Sequence, residues 1–123
     1  MQDRETSNEN HRRFLERVVD KGQVWGLKSD EGWAICASVE LEDTQVMPFW
    51  SDRGYARRAA KHEWSKYEPQ PIALDVFIDR WLQGLKKDEV RAGTNWDANG
   101  CGLELDPEHL GRELLDELER RRS

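Results

Sequence analysis

The chain has 123 residues, of which 37% are hydrophobic and 36% charged, and 25 acidic against 19 basic side chains give it a formal net charge of −6. That length fits one domain, spanning 1–123 with an ordered core over about 7–119, which can bury roughly two thirds of its unfolded surface unaided. The mixed charges of the first twenty residues and the lack of any apolar run near ~18 residues exclude a secretion signal and a membrane span, and the acidic balance argues against general nucleic-acid binding.

A cytoplasmic location follows as the expectation, with Cys36 and Cys101 read as buried free thiols. Thr6-Ser7-Asn8-Glu9 has the form of a capping box, and Phe14, Leu15, Val18 and Val19 recur behind it at helical spacing, so a first helix is predicted that stops at Gly22. Two β-prone runs, Val24 to Lys28 and Trp33 to Val39, flank the turn formers Ser29 to Gly32 and predict a hairpin. In its second strand Trp33, Ile35, Ala37 and Val39 share one face and Ala34, Cys36 and Ser38 the other. A polar stretch, Glu40 to Thr44, leads to a third strand, Gln45 to Trp50, which Pro48 places at a sheet edge or strand end.

Ser51 is read as the cap of a second helix with Tyr55, Ala56, Ala59, Ala60 and Trp64 on its apolar face. Pro69 and Pro71 predict an extended linker from Glu68 to Ala73 that crosses the surface. Asp75 is read as capping a third helix with the stripe Leu74, Phe77, Ile78, Trp81, Leu82 and Leu85. A second hairpin over Val90 to Trp96 and Cys101 to Leu105 follows, then a helix opened by Asp106-Pro107 whose buried side is Leu110, Leu114, Leu115 and Leu118. The fold class is α+β: a mainly antiparallel sheet of about five strands with helices packed on it, in the order α-β-β-β-α-α-β-β-α.

No constellation of catalytic residues stands out. His11, His62 and His109 fall in separate predicted helices with no partner ligand at metal spacing, so neither a metal nor a cofactor is expected, and any serine or cysteine triad would have to be assembled by the fold. Gly100-Cys101-Gly102 could present a thiol to a substrate, but Asn99-Gly100 reads better as a hairpin turn and Gly102 as a point of close backbone packing. Six tryptophans suggest an aromatic cage. Burial of a large apolar side chain contributes about 1.5–3 kcal/mol, which makes core roles the stronger reading for Trp33, Trp64 and Trp81. Trp25, Trp50 and Trp96 sit at strand ends and are the ones expected to be partly exposed. Arg53, Arg57, Arg58 and Lys61 give one basic helix face, read as solvated ahead of a phosphate or RNA site.

Taken in order, Val24-Trp25-Gly26-Leu27, Gly32-Trp33-Ala34, Met47-Pro48-Phe49-Trp50-Ser51, Glu63-Trp64, Tyr67-Glu68-Pro69 and Leu74-Asp75-Val76-Phe77 through Trp81-Leu82 resemble the bacterial family known as domain of unknown function 2750. The strand ending in proline and two aromatics before a serine also resembles, more distantly, the N-terminal domain of enhanced-serine-sensitivity-like proteins. The resemblance implies a small bacterial α+β protein and carries no catalytic or binding residues with it. From the residues themselves, the leading reading is a non-enzymatic interaction or accessory module, of the toxin-neutralising kind or another. It would bind a basic protein partner through the acidic turn surface Glu40, Glu42 and Asp43. The alternative is a small-molecule binder or enzyme with a pocket between the sheet and segment 67–73, walled by Trp25, Trp50 or Tyr67.

Overall fold

The computed structural model describes residues 4–100 and 102–122. Helix α1 (Arg4–Lys21) buries Ser7, His11, Phe14 and Val18, a stripe at alternating spacings of four and three. Because Ser7 extends that stripe one turn further back, the helix runs past the predicted capping box, and Thr6 and Glu9 lie inside it. Gly22 ends it as expected, at φ 69°, with its N–H donated to the Val18 carbonyl at 2.8 Å.

Strand β1 (Gln23–Ser29) turns through Gly32 (φ 122°) into the short β2 (Gly32–Trp33). The predicted second strand does not continue to Val39. Ala34 donates its N–H to the Leu27 carbonyl and is buried, after which the chain crosses to a different sheet as β3 (Cys36–Ala37). Ile35 and Val39 face outward, and of the two predicted faces it is the one with Ala34 and Cys36 that packs beside Trp50, Trp64 and Trp96.

After β4 (Gln45–Phe49) comes α2 (Arg53–Ala59), preceded by Asp52 and not capped by Ser51, which is wholly buried. The helix stops short of Trp64. His62 takes a left-handed conformation (φ 55°), and a separate 3-10 turn, His62–Trp64, sets the Trp64 ring edge-on to Trp50 at 6.5 Å.

The predicted surface linker is a strand, β5 (Glu68–Ala73), paired along its whole length antiparallel with β1 from Gln23↔Ala73 to Lys28↔Glu68. Its prolines are tolerated because they lie opposite Trp25 and Leu27. Trp25 exchanges both main-chain bonds with Trp50, and the Leu27 carbonyl accepts from Ala34. These β1 groups point away from β5, so the ladder asks for no donor at Pro69 or Pro71.

One helical rod follows, α3 (Leu74–Val76), a π-helical turn (Phe77–Trp81) and α4 (Leu82–Lys87), with Ala73 at its N-cap position in place of Asp75. The predicted terminal hairpin forms with shorter strands, β6 (Arg91–Thr94) and β7 (Leu103–Leu105), the first ending before the left-handed Asn95, and α5 (Pro107–Arg122) starts as read, its Glu108 N–H capped by Asp106 at 3.0 Å. Leu115 is half exposed and belongs to the solvent side of that helix.

The fold is α+β with mainly antiparallel pairing, and among the described residues seven strands form two sheets, β2-β1-β5 and β3-β4-β6-β7, with β4 and β6 parallel. The Trp25↔Trp50 bridge joins them. Pro48 sits where β4 has outrun β3, which pairs only with Gln45 and Val46, so the proline occupies a local edge inside a central strand. One core, around Phe14, Phe49, Phe77 and Leu110, lies beneath α1, α4 and α5; the other gathers Trp50, Trp64 and Trp96 against α2. The expected ranking of tryptophans is thereby partly inverted. Trp50 and Trp96 are buried, whereas Trp33 and Trp81 are only half-buried and meet edge to face at 4.6 Å.

Candidate functional site

Residues 38–44, between β3 and β4, hold all three acidic candidates. The loop is internally braced: Ser38 Oγ accepts the N–H groups of Glu40 and Leu41 at 3.0 and 2.9 Å, and the Ser38 N–H reaches the Thr44 carbonyl at 2.8 Å. Beneath it lies the carboxylate of Glu104, its side chain 1% exposed, accepting Ser38 Oγ–H at 2.5 Å and the Val39 N–H at 3.0 Å. Arg91 closes the arrangement with bonds to Glu104 Oε1 (3.3 Å) and its carbonyl (3.1 Å) and an ion pair to Glu40 (3.5 Å).

On that frame Val39 is 92% exposed and Leu41 50%, with the exposed carboxylates of Glu40, Glu42 and Asp43 between and after them. Asp43 takes φ 54°, a left-handed turn that aspartate tolerates. Folding leaves these two apolar side chains in water on backbone it has fixed.

Trp50 presents no face to a ligand, being fully buried with its indole N–H donated to the Trp96 carbonyl at 3.0 Å. Trp25 is half-buried against the second core. Since 67–73 contains β5 itself, no space separates it from the sheet. Tyr67 lines instead an open hollow at the end of β1, with Lys28, Glu31, Glu63, Lys66 and Glu68 among its walls. The predicted basic face also breaks up. Arg57 pairs with Glu68 at 3.7 Å, Arg58 lies over the Tyr55 ring at 5.1 Å, and Lys61 falls beyond the helix.

Sequence reasoning missed a polar cluster under α1. His11 Nε2 lies 2.8 Å from Glu113 Oε1 and Nδ1 2.8 Å from Thr94 Oγ1. An ionised carboxylate only accepts, so in the neutral ring Nε2–H donates to Glu113 and Nδ1 accepts from the Thr94 hydroxyl. This is the hydroxyl, imidazole and carboxylate order of an activated nucleophile. Thr94, however, is 0% exposed, so no substrate carbonyl reaches its oxygen, and the cluster ties α1, β6 and α5 together. Beside it Asn95 (φ 47°) accepts the Ser51 N–H at 2.8 Å and donates to Ser51 Oγ and the Asn10 carbonyl. Sequence separations of 83 and 102 left no local signal for His11's partners.

Cys101 lies outside the described residues. Cys36 is a free, half-buried thiol, and burial, with the carboxylates of Glu104 and Glu63 adding to it, pushes its pKa from 9.0 up to about 11. Folding thus favours the neutral thiol, a stabilisation present below pH 9 and lost as pH rises towards about 11. Alkylation of Cys36 by iodoacetamide at pH 8, followed by peptide mapping, is expected to be about a hundredfold slower in the folded than in the urea-unfolded chain from thiolate fraction alone. Equal rates would contradict this environment. Among the described residues no group of three or more His, Cys, Asp and Glu side chains is placed to hold a metal ion, and no helix is long and apolar enough to cross a membrane.

Comparison with curated proteins and with solved structures gives no match. A family model described as "Protein of unknown function (DUF2750)" matches residues 11–114, from within α1 to within α5. That span holds all six tryptophans and every strand of the described residues, and the chain belongs to this family.

Proposed function

We propose that this chain is a non-enzymatic protein-interaction module of the cytoplasm that docks a partner of basic surface through the 38–44 loop. The single observation behind the reading is a loop fixed from below by a buried carboxylate that nonetheless holds Val39 92% exposed. Covering Val39 supplies about 1.5–3 kcal/mol and covering the remaining half of Leu41 roughly half that, and the ordering entropy is already met by the Glu104 and Ser38 bonds. The neighbouring Glu40, Glu42 and Asp43 steer a positively charged surface to the loop and reject an acidic one. An accessory protein that masks a basic partner, the toxin-neutralising class included, has this chemistry.

Copurification of the tagged chain from its native cell is expected to recover a stoichiometric basic protein. Charge change in E40K/E42K/D43N, which keeps a residue that tolerates the left-handed turn at position 43, and separately V39D/L41D, is expected to weaken that complex by at least tenfold with the melting temperature of the module little changed. L115D, altering an exposed leucine of α5, serves as the control. A complex indifferent to both loop variants sinks the reading.

A further inference from the structure

We propose that the cleft between α1, α2 and the segment after β6 binds a small molecule carrying an oxyanion, a phosphate or a carboxylate. It has a volume of about 340 Å³ and is walled by Arg13, Tyr55, Arg58, Trp96 and Asp97, with Asn95 beneath. That volume lies within the range of small-ligand sites, ~300–1,000 Å³. The cleft shares no residue with the 38–44 loop and does not rest on the docking reading.

Two guanidiniums face one carboxylate in this lining, so the cleft is locally basic in a chain of net charge −6 and draws an anion the remaining surface repels. Neither Arg13 nor Arg58 forms an ion pair among the described residues. Arg13 Nη1 donates to Asn10 Oδ1 at 3.1 Å and Arg58 Nε to the Gly54 carbonyl at 3.4 Å. These bonds aim each guanidinium while leaving N–H groups in the fork that matches two oxygens of a phosphate or carboxylate. The Tyr55 ring holds Arg58 at 5.1 Å and Arg17 at 5.9 Å, which stiffens that wall.

The base of the cleft is equally fixed. Asn95 is 5% exposed and left-handed, and three side-chain bonds hold it, one of them to the carbonyl of the same Asn10 that orients Arg13. Walls set before the ligand arrives lose little freedom on binding. Asp97 Oδ1 accepts the Asn99 N–H at 2.9 Å, which fixes the far wall.

Calorimetric titration of the whole chain with glycerol 3-phosphate and, separately, with malate at matched ionic strength tests the site. Saturable one-to-one binding of at least one probe is expected, reduced about tenfold or more in R13Q and in R58Q and unchanged in R53Q, which alters an exposed α2 arginine outside the lining. Response to glycerol 3-phosphate alone assigns a phosphate ester, and to malate alone a carboxylate. In the unsubstituted chain the same titration should move the amide signals of Asn95 and Trp96, a readout independent of how any variant folds. The proposal is overturned by no saturation up to ~10 mM, by shifts confined to other residues, or by an equal loss in R53Q.

Discussion

Replacement of Glu104 by alanine is expected to lower the stability of the whole domain by about 3–5 kcal/mol, the usual cost of removing one partner from a buried, hydrogen-bonded charge pair. The carboxylate accepts from Ser38, Val39 and Arg91 with its side chain 1% exposed, and alanine satisfies none of the three. Arg91 keeps the main-chain carbonyl of residue 104 and Glu40, an exposed ionic partner of small worth. Urea unfolding should show a lower midpoint with an unchanged slope. Hydrogen exchange at Val39, Leu41 and Ser38 should accelerate more than exchange in β6, because the loop loses its support from below as well as sharing the global loss. E104Q preserves shape but sets an amide N–H₂ against donors, so it is expected to recover only part of the stability. A loss under about 1 kcal/mol for E104A would mean that water replaces the carboxylate, and the loop would then be no rigid platform.

G93A and G102A are expected to be as damaging, each destabilising by about 3 kcal/mol or preventing folding. A Cβ on Gly93 would lie 2.5 Å from Trp96 Cε2 and 2.6 Å from Nε1, and one on Gly102 would come closer still to Cδ1. Neither glycine has positive φ, so the requirement is for space and not for an unusual backbone. The indole lies in a slot between the two hairpin strands, fixed by its N–H to the Leu103 carbonyl at 2.8 Å, and it cannot retreat because its own carbonyl holds the Trp50 ring. Adding W96L to G93A should restore part of the loss by thermal unfolding, since the smaller side chain vacates the clash. If the double variant is simply the sum of the singles, the clash is not the cause. Close packing at Gly102 was legible in the sequence, but its partner, Trp96, was read as partly exposed.

Some local signals hold in the structure, whereas the Thr6–Glu9 capping box and the Ser51 and Asp75 caps do not. The Gly22 stop, the Asp106-Pro107 start of α5 and the hairpin around Asn99-Gly100 depend on a few adjacent residues whose backbone preferences and caps act within one turn. Elsewhere a distant partner overrides the local rule. Pro69 and Pro71 spell a linker until β1 is seen to turn its Trp25 and Leu27 main-chain groups the other way. The run from Trp33 to Val39 spells one strand until Ala34 bonds to Leu27 in one sheet and Cys36 pairs with Val46 in the other.

The candidate surface was half visible. Glu40, Glu42 and Asp43 stood out as a run of acids, whereas the Glu104 brace lies more than sixty residues further along the chain and reads locally as one more charged strand position.

By itself, then, the sequence determined the α+β class, the single-domain expectation, the family resemblance, the end of α1 and the start of α5, because each follows from periodicity, capping or the order of short motifs. Only the tertiary structure decided that the strands divide between two sheets, that Trp50 and Trp96 face inward while Val39 faces out, and that His11 meets Thr94 and Glu113. The physical reason is the same in each case. A strand or helix pattern offers two faces or an unmatched hydrogen-bonding group, and which face is buried or which group is answered depends on the volume and the donors that remote segments bring to it.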